Sequence, residues 1–146
     1  MFPDFYPAAE KALGDDYREF RSDAYIAWFV LSATPEMLND RPNELAAFVR
    51  ALIKAEEFIK TNPDGAMAAL ETATEGLLSM ETIKAKFTEA EYEIGLGKGL
   101  LDILETQANW VVEQGMVEAT PSRDLLKGFL ATGPVKAVDS ARINLQ

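Results

Sequence analysis

The sequence predicts a mainly α-helical protein with one or two short strands. Three observations lead there. Apolar residues recur at three- and four-residue spacing through most of the chain after residue 36. Capping residues stand in front of several of those stretches. Only one run, Tyr25–Leu31, is apolar on both alternating faces, the pattern of a strand buried on two sides.

In chain order, Pro7 is placed to open a short helix through Leu13, with Gly14 as its stop. The aromatic, β-branched run near residues 25–32 is the expected strand. Pro42 then stands at a first helical position, and Leu45, Phe48, Val49, Leu52, Ala55 and Ile59 form one apolar stripe behind it. Glu56 and Lys60 are spaced as an i,i+4 ion pair on the opposite face. Asn62-Pro63-Asp64 ends this helix and starts the next: Asn62 caps, Pro63 fits the first turn and Asp64 suits the positive end of the helix dipole. Ser79 is the next N-cap, ahead of Glu81, Ile83 and Phe87. Glu89–Ile94 alternates and predicts an extended segment. A long helix follows from about Leu100, with Leu100, Leu101, Leu104, Ala108, Val111 and Val112 on one face and Gly115 as its stop. Ser122 caps a short helix carrying Leu125, Leu126 and Phe129, and the alternating tail Ala141–Leu145 predicts a terminal strand.

The chain of 146 residues, 48% hydrophobic and 26% charged, suits a single domain, residues 1–146, with one core. Its net charge of −10 disfavours nucleic acid, whose phosphates call for clustered Lys and Arg, and disfavours an anionic membrane surface. The chain has no Cys and no His, which removes thiolate chemistry, zinc–thiolate sites, the commonest general base and the commonest transition-metal ligand. The expectation is a protein that is not an enzyme, with no catalytic residues, no metal and no cofactor. No basic-then-apolar targeting segment opens the sequence, and the most apolar run falls far short of a membrane span.

Individual motifs mostly have structural readings. Gly95-Leu96-Gly97-Lys98-Gly99 fails the Walker pattern, since Tyr92 stands where a glycine belongs and Gly99 follows the lysine. It fails the dinucleotide pattern because Leu100 replaces the third glycine. It reads as a flexible lead-in to the long helix. Glu89, Glu91 and Glu93 share one face of an extended segment but lack the surrounding oxygens of a calcium loop, and read as a solvated edge. Trp110 reads as a helix–helix or core contact. Tyr25 and Trp28 fit either a core strand or the wall of a ligand cleft.

Much of the chain from Ser22 onward resembles a known family. Ser22-Asp23-Ala24-Tyr25, followed by Ile26 to Ala33, is similar to the strand that crosses between lobes in the solute-binding proteins of nitrate/sulfonate/taurine-type ABC importers. Asn43 to Ile59 with Asn62-Pro63-Asp64 resembles the helix that follows it, and is the most specific part of the likeness. Leu100 through Asn109-Trp110 to Gly115-Met116-Val117 resembles the penultimate helix, and Pro134 to Leu145 the tail. The resemblance covers about six-sevenths of the chain and only the last part of a full binding protein, which is about twice as long. It implies a fragment of the α/β type II periplasmic-binding-protein fold and a parent that is periplasmic or extracytoplasmic. It also implies a small anionic or pyrimidine-precursor solute and an ABC permease as partner. Ligand contacts from this chain are then expected at Ser22 and Tyr25, with weak or absent binding by the chain alone. An apolar strand without neighbours also predicts exposed apolar surface or self-association. The alternative from another class is an autonomous helical protein-interaction domain with no small-molecule ligand. The third reading is an enzyme: relatives in thiamine-precursor biosynthesis share the fold, but their chemistry uses His.

Overall fold

A computed structural model describes residues 6–20 and 26–146. It is mainly helical, with one pair of short parallel strands. In chain order the elements are α1 (Tyr6–Leu13), α2 (Pro35–Asp40), α3 (Pro42–Thr61), α4 (Pro63–Ala73), α5 (Met80–Phe87), β1 (Leu96–Gly97), α6 (Lys98–Glu113), α7 (Arg123–Gly128), α8 (Thr132–Lys136) and β2 (Ile143–Asn144). The chain divides into two compact units. One takes the residues up to Ala27 with Ala55–Glu93; the other takes Trp28–Lys54 with Ile94–Gln146.

The helix boundaries follow local chemistry. Asn62 accepts from the Gly65 N–H at 3.1 Å, Ser79 from the Thr82 N–H at 3.2 Å and Ser122 from the Leu125 N–H at 3.2 Å, three N-caps legible in the sequence. Thr34 caps α2 in the same way, accepting from the Met37 N–H at 3.2 Å. Gly14 stops α1 at φ +52°. At the end of α6, Gly115 (φ +70°) donates to Val112 O and Met116 donates to Val111 O, the two bonds of a Schellman motif. α4 ends in the same motif with a costlier residue. Glu75 adopts φ +51° and donates to Thr72 O, while Gly76 donates to Glu71 O. A side chain in this left-handed region costs about 1–2 kcal/mol that glycine does not.

In the first unit, α4 packs on α5, with Ala66 and Ile83 buried. Glu71 ties the pair by accepting from the Met80 N–H at 3.1 Å. The Phe87 and Tyr92 rings meet at 5.2 Å, and Lys86 Nζ lies 5.2 Å from the centre of the Tyr6 ring. In the second unit the core gathers on α6. Leu100 and Leu101 are buried, Leu101 completely, α7 packs on α6 with Leu126 buried, and Val135 of α8 is buried as well. The expected apolar face of α6 is therefore the inward one. β1 runs parallel to β2 with Leu96 opposite Ile143 and Gly97 opposite Asn144, so the expected terminal strand is present, two residues long.

Three expectations are corrected. Residues 26–33 form neither strand nor helix, and the Ile26, Phe29, Val30 and Leu31 side chains are exposed; the Tyr25 end of the run lies outside the described residues. A strand needs a ladder, and no described segment pairs with this one. On α3 the buried residues are Ala46, Ile53 and Glu56, while Leu45, Val49, Leu52 and Ile59 of the expected stripe are half-buried and its Phe48 and Ala55 exposed. The helix is thus rotated so that Glu56, 3% exposed, lies inward while its partner Lys60 stays in solvent. The pair forms, but across the helix flank: Lys60 lays its stem outward from a buried carboxylate. Trp110 is more than half exposed rather than a core contact.

Glu75→Gly is expected to raise stability by about 1 kcal/mol, read from the urea midpoint at unchanged slope. Leu101→Ala should lower it by about 2–5 kcal/mol, because the side chain is wholly enclosed.

Candidate functional site

Ser22 and Tyr25, the residues that the sequence places at a ligand, lie outside the described residues. The structure brings together the surroundings of the segment that follows them. The N–H and C=O groups of residues 26–33 make no hydrogen bond among the described residues. The segment holds no charged side chain.

Trp28 anchors its start. The indole lies against Gly99 in the first turn of α6, so closely that a Cβ at residue 99 would stand 2.9 Å from Trp28 Cζ2. The glycine-rich lead-in therefore has two distinct uses. Gly99 admits the ring, and Gly95 admits the backbone of the tail, since a Cβ there would stand 2.8 Å from Arg142 O. Arg142 completes the tie: Nη1 donates to Ile94 O at 2.8 Å, and Nε lies 3.3 Å from Asp139 Oδ2. The lead-in is thus an ordered junction built around β1 and β2 rather than a flexible run.

An ion-pair cluster fastens α7 to α6. Arg123 reaches Asp102 Oδ1 at 2.7 Å and Glu105 Oε2 at 2.6 Å, and Lys98 pairs with the other oxygen of Asp102. The Lys98 hydrogen bond, then that of Arg123, holds the Asp102 carboxyl below the usual carboxylate range. The Lys98–Asp102 spacing was readable as a helical pair. Arg123 was not, because its partners lie 18 and 21 residues away. All four side chains are well exposed or nearly so, which limits the cluster to fastening the helices.

The acidic edge behaves as a solvated edge. Glu91 and Glu93 are exposed while Tyr92 and Ile94 between and beyond them are half-buried, and Glu89 pairs with Lys86 at 3.3 Å. No group of carboxylates among the described residues is placed to hold a metal ion. An open depression of about 360 Å³ lies in the second unit, with Leu38, Pro42 and Asn43 on one side and Ala131, Pro134 and Ala137 on the other. Its lining is apolar apart from Asn43, so it offers contact without charge. No described helix is long and apolar enough to cross a membrane.

Gly99→Ala, made in a Trp110→Phe background so that Trp28 is the sole tryptophan, should shift Trp28 emission, excited selectively over tyrosine, to the red as the ring is displaced into water. Unchanged emission would show that the ring does not rest on Gly99. The Asp102 carboxyl has a folded-state pKa below its unfolded value near 3.9, so its contribution is complete above that pH and is lost as pH falls through the lower folded value. Asp102→Asn is therefore expected to be less stable than the parent at pH 7, with the difference shrinking below about pH 4, measured by urea unfolding across pH.

Comparison with family models, with characterised proteins and with solved structures finds no match to this chain.

Proposed function

We propose that this chain is the C-terminal portion of the solute-binding component of an ABC importer. With the rest of such a protein it would take a small solute of the nitrate, sulfonate, taurine or pyrimidine-precursor kind. The observation that carries the reading is the order of elements over residues 26–73. An uncharged apolar segment with an unpaired backbone runs into the Thr34-capped α2, the twenty-residue α3 and the Asn62-capped α4. That is the order of the crossing strand and following helices in the family the sequence resembles. Strand-forming residues whose N–H and C=O groups find no partner fit one strand of a sheet completed by another part of a larger molecule.

In that setting Ser22 offers a hydroxyl and Tyr25 a ring face or phenol at the rim of an interlobe cleft. Helix N-termini and backbone N–H groups suffice to hold an oxyanion there, which reconciles an anionic solute with an acidic chain. Solute binding shifts a hinge equilibrium toward the closed form because only that form encloses it. One side of such a clamp leaves the solute wet, so the isolated chain gives up most of the affinity.

A second reading, an autonomous helical protein-interaction domain with no small-molecule ligand, is favoured by exposed apolar residues away from the crossing segment: Trp110, Met116, Leu125 and Phe129.

Calorimetry with taurine, nitrate, an alkanesulfonate and a pyrimidine precursor distinguishes the two. This chain alone is expected to bind none of them at micromolar concentration. A two-lobed protein carrying the segment should bind one of them, and Ser22→Ala or Tyr25→Ala should weaken it by about tenfold each. Micromolar binding by this chain alone, surviving both substitutions, would place the site elsewhere. No binding by the two-lobed protein would leave the interaction domain.

A further inference from the structure

We draw no further inference here: the strongest candidate, the open depression that the first turn of α3 and α8 border in the second unit, is apolar apart from Asn43, and nothing in the structure shows what covers it.

Discussion

The second unit depends on a close approach of backbone to backbone at Gly95. The Arg142 carbonyl occupies the space where any side chain at residue 95 would project. That contact lets the tail lie beside the glycine-rich lead-in. The Arg142 guanidinium then bonds Ile94 O, β2 comes into register with β1, and α6 starts immediately after the paired residues. With the start of α6 fixed, Leu100 and Leu101 face inward, Gly99 faces Trp28, and Lys98 and Asp102 stand toward Arg123 of α7. A glycine pattern that suits no phosphate loop thus has its explanation in packing, with a separate neighbour for Gly95 and for Gly99.

Most of the helical architecture was legible because helix ends are decided locally. Asn62, Ser79 and Ser122 cap as their positions require, and Gly14 and Gly115 stop their helices at positive φ. What the sequence concealed is set by partners far along the chain. The run after Tyr25 has the composition of a buried strand, yet burial and pairing are properties of neighbours, and the described residues provide none. Glu56 sits inward because α3 is rotated by about one position from the stripe its apolar residues suggest, and the rotation is chosen by packing rather than by periodicity. Arg123 was invisible for the same reason. Glu75 escaped because a left-handed cap normally signals itself with glycine, and here the glycine comes one residue late. Of the candidate site, Ser22 and Tyr25 lie outside the described residues; in the segment that follows them, the Trp28 ring rests on Gly99.

Charge is spent on local order in this acidic chain. The ion pairs among the described residues join residues three or four apart, except those that bind Arg123 to α6. Pairs of that kind steady exposed helices by tenths of a kcal/mol each. They leave the surface strongly negative, with exposed apolar side chains both in the stretch after residue 25 and elsewhere, Leu77, Met116 and Phe129 among them. The solute-binding proposal starts from that stretch, with another part of a larger molecule supplying the missing ladder.

The β1–β2 pairing also has a consequence for the order in which the chain organises itself. Leu96 and Gly97 pair with residues near the far end of the second unit, and α6, α7 and α8 all lie within the loop so closed. Closing a long loop costs entropy before any contact repays it, and two rungs of ladder repay little. Inside the loop, the Ser122 cap of α7 and the Schellman turn that ends α6 are local and need no such closure. Packing of α7 on α6 shortens the effective loop that the strand pair must close, which favours pairing of β1 with β2 after that contact rather than before it.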